Sequence, residues 1–361
     1  MGNSDEKSIA PSTKPSAGEV HQKDRYSRQE RFTPIGKEGQ RNIGKSHVLV
    51  IGAGALGTNI AETLVRAGVG HITIADRDYV EWSNLQRQQL FSERDAEARI
   101  PKAIAAKERL TAVNSLVTID TYVMDVTRNE IEDLINGVDL IMDATDNFDI
   151  RLLINDISQK HSIPWIYGGC VGSYGITYTI IPGHTPCLNC LLETAPLGGD
   201  TCDTAGIIPP AVQMVAAHQT TEALKLLTGH VEALRTTLLS FDLWRNEQFA
   251  IHVAHAKNEQ CLSCGSHATY PYLSASNLQK SEVLCGRDTV QIRPAIQRQI
   301  NLQAVAERLS DLEEGTVERN PFLVSFTVGE HRIVIFQDGR ALIHGTKNIA
   351  EAKTLYHKYF G

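Results

Sequence analysis

The 361-residue sequence has no apolar run close to the roughly 20 residues that a membrane-spanning helix needs. Its longest such stretches are of the order of Ile176–Ile181. It has no basic excess either: 35 Lys and Arg stand against 42 Asp and Glu, a net charge of −7, with no basic stripe. That balance argues against a duplex nucleic-acid binder, although local phosphate binding needs only a few groups. The N-terminus lacks a basic-plus-apolar leader, and Glu6 stands where a myristoylation motif wants Ser or Thr. The cytosol is therefore the expected compartment, and the seven cysteines are expected to be reduced. Paired cysteines there suggest metal or catalysis rather than disulfides. No internal repeat of 20–50 residues is visible. The chain is 42% hydrophobic and long enough to bury a core without staples, with room for two domains.

What is present is an alternating pattern. Residues 1–23, rich in Ser, Pro, Lys and Glu, read as a disordered tail. The run His47–Ile51 is β-branched, and a glycine-rich turn follows at once. Leu56, Ile60, Leu64 and Ala67 then recur at helical spacing, and Gly68 and Gly70 stop the helix. His71–Ala75 is the next strand, ending at Asp76. The pattern predicts further helices over 102–113, 129–135, 148–160 and 210–227. It predicts strands over 117–123, 138–142, 165–167, 174–181, 238–242 and 249–253. Alternating strands and helices imply an α/β, Rossmann-like, mostly parallel sheet, here with an antiparallel extension. A boundary is expected over 266–289. A small α+β domain follows over 290–361, with helices 302–309 and 350–359 and strands 322–327, 332–336 and 341–343.

The turn Gly52-x-Gly54-x-x-Gly57 follows a strand, opens a helix and precedes a second strand ending in Asp76. That context makes it a phosphate-cradling turn at a helix N-terminus, with Asp76 able to bind ribose hydroxyls. The plainer reading is glycines kept only for tight strand–helix packing. Ser83-Asn84-Leu85-Gln86-Arg87-Gln88 falls at the carboxyl side of the sheet. Asn84, Arg87 and Lys102 offer donors suited to a triphosphate, although any one of them alone reads as a surface group. Asp143-Ala144-Thr145-Asp146-Asn147 ends another strand. Asp146 is placed to hold a phosphate-bridging Mg²⁺ or, more plainly, to cap the helix that starts near Asn147.

Cys187-x-x-Cys190 and Cys261-x-x-Cys264 have the form of a tetrahedral Cys₄ zinc site that clips two distant loops together. Four thiolates leave no open position for catalysis, and a redox role for one pair is the alternative. Cys202, in a loop of small residues, is the candidate reactive thiol. Cys170 reads as a buried small residue after a strand, and Cys285 as an inert thiol in the boundary region.

Together, RYSRQ (Arg25–Gln29), GAGALG (Gly52–Gly57), Asp76, SNLQRQ (Ser83–Gln88), Lys102, DATDN (Asp143–Asn147) with Arg151, both CxxC pairs and the Cys202 loop resemble the MoeB/ThiF adenylyltransferases. These are relatives of the ubiquitin-activating enzymes. The resemblance covers about Arg25 to Cys264. It implies ATP-dependent adenylation of the C-terminal glycine carboxylate of a ubiquitin-like sulfur carrier of the MoaD or ThiS type. Pyrophosphate is released, and the acyl-adenylate then serves molybdopterin or thiamin synthesis. It implies a homodimer in which Arg28 reaches the partner's ATP site. It implies nucleotide contacts from Ala55 through its backbone and from Asp76, Asn84, Arg87, Lys102 and Asn147. Asp146 becomes the Mg²⁺-linked catalytic aspartate, and Cys202 aligns with a thiol whose necessity varies among members. The chain departs from the pattern at Ala55, where many members have glycine. It also departs in ending with a small α+β domain rather than a rhodanese domain. The resemblance leaves open whether that domain handles sulfur, docks the carrier or stabilises a dimer.

The rival readings are an NAD-dependent oxidoreductase, a tRNA-modifying dehydratase and a non-catalytic scaffold. The cluster of triphosphate-type cations disfavours the first. Paired CxxC motifs and an acidic chain disfavour the second. Retention of Gly52, Gly54, Gly57, Asp76 and Asp146 disfavours the third.

Overall fold

The βαβ start sets the architecture. In the computed structural model, which describes residues 25–194, 205–274, 281–283, 288–293, 299–312 and 314–360, β1 (His47–Ile51) pairs in parallel with β2 (His71–Asp76) and β4 (Leu140–Asp143). Helix Ala55–Ala67 connects β1 to β2 and ends at Gly68 in the left-handed region. With β3 (Thr118–Val123) and β5 (Trp165–Val171), five strands form a parallel core in the order β3-β2-β1-β4-β5. β6 (Tyr174–Ile180), β7 (Thr237–Asp242) and β8 (Glu247–His252) extend it antiparallel, as the sequence pattern predicts. Apolar side chains on both faces of this sheet explain its continuous hydrophobic strands. One core joins Val48, Val50, Ile72 and Ile74 to helices Ala55–Ala67, Lys102–Val113 and Pro209–Leu227. The other joins Leu49, Ile51, Ile141 and Trp165 to Ile131, Ile154 and Ile157 on helices Arg128–Leu134 and Phe148–His161. Strand order reverses between β1 and β4, so the crevice outside their carboxyl ends is where such sheets bind ligands.

The second sheet is antiparallel, in the order β11-β12-β13-β14-β10-β9. Its members are β9 (Ser281–Val283), β10 (Thr289–Ile292), β11 (Thr316–Arg319), β12 (Leu323–Val328), β13 (His331–Phe336) and β14 (Ala341–His344). It therefore begins earlier than the expected boundary at 290, and part of the stretch 266–289 read as linker is strand. β9, β10 and β11 lack the apolar runs by which equally short strands such as β4 and β14 are read from the sequence. Val324, Phe326, Ile333 and Ile335 pack against helices Leu302–Ser310 and Ile349–Phe360. The opposite face presents Leu323, Val334, Phe336 and Leu342 to Tyr79 and Val123 of the first sheet's domain. The two domains thus share an apolar seam beside the carboxyl ends of β2 and β3.

One smaller difference concerns a cysteine. β5 runs on past Tyr167, so Cys170 lies within the strand, opposite Gly175, and is half-buried rather than buried. The expected tail 1–23, Cys202 and Cys285 lie outside the described residues.

Candidate active site

The three glycines of the turn do different work. Gly52 has φ +99°, and a Cβ there would meet the Ala144 carbonyl oxygen at 2.5 Å. A Cβ on Gly57 would lie 1.9 Å from the Gly52 carbonyl oxygen. Both positions are dictated by packing, as the plainer reading proposed. Gly54 is different: its would-be Cβ meets only the Gln88 amide, at 3.9 Å. The fold leaves space over Gly54, where a ligand's phosphates would approach. Gly54 is also the N-cap of helix Ala55–Ala67, and no side chain caps it. The N-terminal amides and the positive end of the helix dipole therefore face the crevice.

Asp76 closes one side of this turn. Its carboxylate accepts from the Ala53 amide at 2.6 Å and from the Asp78 amide at 2.7 Å, one bond to each oxygen. Each oxygen keeps a further lone pair for a hydroxyl donor. Loss of hydration raises the Asp76 pKa against the pull of Lys102, and the Asp78 charge raises it further. Lys102 is only 3% exposed, so it is not the solvated surface cation that the motif alone allowed. It opens helix Lys102–Val113, where a cation opposes the helix dipole. Its Nζ sits 3.1 Å from Asp78 Oδ2. A buried lysine in an unfavourable helical position marks a group kept for its charge.

The segment after β2 continues the wall. Asn84 is buried in the short 3-10 turn Trp82–Asn84, and Arg87 bends back to donate to the Ser83 carbonyl at 2.9 Å. Ser83 is exposed. Gln88 is buried beside Gly54, and its Oε1 has no hydrogen-bond partner among the described residues. It belongs to the same wall, although in the sequence it was only part of a quoted motif. Its buried amide near the glycine turn is the signal, and that needs coordinates.

Across the crevice, Asp143 and Asp146 part company. Asp143 is fully buried. It accepts from the Thr145 amide and hydroxyl at 2.9 and 2.7 Å and pairs with Arg151 Nε at 3.1 Å. Arg151 also donates to the carbonyls of Thr145 and Gly168, at 2.6 and 3.1 Å. Burial alone would lower the Arg151 pKa, but Asp143, by charge and hydrogen bond, together with Tyr167 and Asp146 outweighs it and raises the value. This network fixes the turn that presents Asp146, whose side chain is exposed. Asp146 does not cap the following helix. Asn147 does, accepting from the Asp149 amide at 2.7 Å. That engages Asn147 Oδ1 and leaves its amide donors for a ligand.

Arg28 is not part of this cluster. Its helix, Ser27–Glu30, is docked at the far end of helix Ala55–Ala67. There Gln29 donates to the Ala67 carbonyl at 2.9 Å, and Tyr26 lies over Gly68. Thirteen helical residues separate that end from Gly54, about 20 Å by helix rise. Arg28 itself is exposed.

The four cysteines Cys187, Cys190, Cys261 and Cys264 converge, with all sulfur atoms within 4.8 Å of one another. Three of the Sγ–Sγ separations are 3.8, 3.7 and 3.5 Å. A tetrahedron with Zn–S bonds of about 2.3 Å has edges of about 3.8 Å. The Cys187 thiol points to Cys190, which raises the first pKa and lowers the second toward thiolate. The Ser263 amide and the Asn189 side chain both point at Cys261 Sγ, at 3.4 and 3.7 Å. Donors aimed at a sulfur are what a thiolate ligand calls for. The cluster ties the start of helix Leu188–Thr194 to the loop after β8.

A parallel sheet with a glycine turn at its switch point, a buried lysine and an exposed aspartate across the crevice defines a nucleotide-binding α/β protein whose fold is clipped by four cysteines. Known proteins place it further. Residues 26–263 match the model of the ThiF family, and the chain belongs to that family. It is 54% identical over 339 residues to "Sulfur carrier protein ThiS adenylyltransferase" of Bacillus subtilis, covering 93% of this chain and 99% of that one. It is 34% identical over 248 residues to the protein of the same name from Escherichia coli, covering 68% of this chain and 97% of that one. Among solved structures, E. coli MccB with ATP superposes with a TM-score of 0.58 at 21% identity, over 67% of this chain and 74% of that one. That likeness shows the fold. Family membership displaces the dehydrogenase reading of the glycine turn.

Proposed function

We propose that this chain adenylates the C-terminal glycine carboxylate of a ThiS-type ubiquitin-like sulfur carrier, in thiamin biosynthesis. The observation that carries this reading is the open cradle at Gly54, over an uncapped helix N-terminus and beside Asp76, on whose carboxylate the Lys102 charge acts. The sequence left MoaD-type and ThiS-type carriers open, and the name of the Bacillus relative favours ThiS.

The reaction needs little covalent help from the protein. A carboxylate oxygen of the carrier attacks the α-phosphorus of ATP. The bond from that phosphorus to the bridging oxygen breaks, and its electron pair leaves with pyrophosphate. Catalysis is then alignment and charge neutralisation. The amides of Ala55 and its neighbours, with Lys102 and Arg87, neutralise the phosphates. Asp76 takes the ribose hydroxyls, and Ser83, Asn84, Gln88 and the Asn147 amide complete the wall. Asp146 would hold Mg²⁺, which would supply positive charge to the phosphate oxygens. The Cys₄ cluster fits zinc in a closed, structural role. Its four ligands are all sulfur and already at tetrahedral spacing.

Arg28 supports the homodimer expected from the sequence. It sits on a segment about 20 Å from its own glycine turn, beyond the reach of one side chain. If Arg28 serves a nucleotide site, as the resemblance implies, that site belongs to a second copy. The test is intact mass spectrometry of a ThiS-type carrier incubated with the chain and Mg-ATP. The expected outcome is one adenylate on the carrier, lost when its terminal glycine is deleted. A carrier that stays unmodified while ATP is bound overturns the proposal.

A further inference from the structure

The seam between the two domains carries more than apolar contact. From β13, Arg332 Nη2 reaches the Tyr79 hydroxyl at 2.8 Å and Glu81 Oε1 at 3.1 Å. Its guanidinium lies 5.9 Å over the Tyr79 ring. The Tyr79 hydroxyl also faces His344 Nε2 of β14 at 3.0 Å. Arg340, 2% exposed, donates to the Arg77 carbonyl at 2.6 Å. Every one of these contacts lands on residues 77–81, the stretch between Asp76 and the turn that carries Asn84.

Glu81 is the link. Its amide donates to Asn84 Oδ1 at 3.1 Å, and its carbonyl accepts from the Asn84 amide at 2.9 Å. Its carboxylate closes the reciprocal cap of the 3-10 turn Trp82–Asn84. The Asn84 carbonyl in turn accepts from the amides of Arg87 and Gln88, at 3.1 and 3.0 Å. A guanidinium from one domain thus grips the residue that caps the nucleotide-side turn of the other. The apolar patch of Tyr79, Leu323, Val334, Phe336 and Leu342 already supplies adhesion between the domains. The polar strut adds direction, because one guanidinium nitrogen, Nη2, donates to both acceptors.

We infer that the C-terminal domain orders the nucleotide site and that Arg332 is a positioning residue for ATP, acting through Glu81 and Tyr79 on Asn84, Arg87 and Gln88. This rests on the nucleotide reading of the crevice. It gives the second domain a role that needs neither sulfur chemistry nor carrier docking. Small displacements of positioning groups are costly to catalysis even when the group never touches substrate. The strut is partly solvated, with side-chain exposures of 30% for Arg332 and 23% for Glu81, so a moderate effect is expected.

The test uses the full chain, Mg-ATP and a ThiS-type carrier, with ATP–pyrophosphate exchange measured well below the melting temperature of each variant. Arg332→Met is expected to raise KM for ATP about tenfold and to change kcat by less than about threefold. Arg332→Lys is expected to restore only part of the loss, because an ammonium keeps the charge but not the guanidinium's fixed donor geometry. Glu81→Gln is expected to behave like Arg332→Met, and the double variant to be no worse than either. Hydrogen exchange at residues 81–88, without ATP, is expected to quicken in Arg332→Met. That readout serves also where turnover is too low to measure, and Arg332→Lys with Glu81→Gln serves where Arg332→Met does not fold. A wild-type KM for ATP together with wild-type protection of 81–88 in the variants overturns the inference alone. Wild-type chain that binds no ATP overturns the reading of the crevice, and the inference with it.

Discussion

The segment Asp76–Gln88 has two sides, and they use the same kinds of side chain differently. On the crevice side, polar groups keep capacity in hand. Among the described residues, Gly54 faces open space, Gln88 Oε1 makes no hydrogen bond, and Asp146 across the gap is exposed. On the seam side, charges meet counter-charges, although single atoms such as Gln291 Oε1 and Arg340 Nη1 make no hydrogen bond there either. Asp125 is buried against Arg77 at 3.2 Å, with Arg293 and the Gln291 amide (2.8 Å) on it as well, and Arg340 is held on a carbonyl. Burial alone would raise the Asp125 carboxyl, but those arginines outweigh it and hold it below the usual carboxylate range. The difference separates groups that wait for a ligand from groups that set the geometry in which the ligand is met. Removing the first kind should cost activity without stability, and removing the second kind should cost stability first.

The largest effect expected is on the stability side. Cys261→Ser, or stripping metal with a chelator, should lower the melting temperature sharply, since structural zinc can contribute on the order of 10 kcal/mol. Thermal melting beside metal stoichiometry reads this, and an unchanged melt in metal-free protein would dissolve the cysteine clip. Next comes Asp146→Ala, an exposed site. Exchange activity should fall by about 10²–10³-fold with melting unchanged. Activity that survives would remove Asp146 from the chemistry.

The glycine turn sharpens the comparison within a single motif. Gly57→Ala forces a Cβ to within 1.9 Å of a backbone oxygen and should cost about 3 kcal/mol or more, read in denaturant unfolding. Gly54→Ala should leave the unfolding midpoint near wild type while weakening ATP binding about tenfold or more by calorimetry. Equal behaviour of the two variants would mean that all three glycines serve packing. The smallest effect concerns acid. Asp125 has a depressed folded pKa, so its contribution is full above the unfolded value near 3.9 and is lost as pH falls through the folded one. Asp125→Asn should therefore flatten the loss of stability below about pH 4. An unaltered acid limb would place that loss in other carboxylates.

Legibility in the sequence divides along the same line. The crevice was readable because its parts are local. A strand, a glycine turn and a helix follow one another between His47 and Ala67, and Asp76 ends the next strand. The cysteine quartet was readable from two short spacings, although only folding shows them meeting across the chain. The seam was invisible for the opposite reason. Arg332 and Glu81 are 251 residues apart, Arg340 and Arg77 263, and no periodicity links them. The pairing of Asp143 with Arg151, by contrast, lies eight residues apart, yet its partnership depends on how the strand end and helix face each other. The distinction between Gly54 and its two neighbours likewise rests on what stands opposite each one, which a motif does not record.

The most direct measurement is ATP–pyrophosphate exchange by the full chain with a ThiS-type carrier, with a MoaD-type carrier and with none. The account expects exchange with the ThiS-type carrier, less with the MoaD-type one and none without a carrier. Absence of exchange with the ThiS-type carrier, from protein shown to bind ATP, would contradict it.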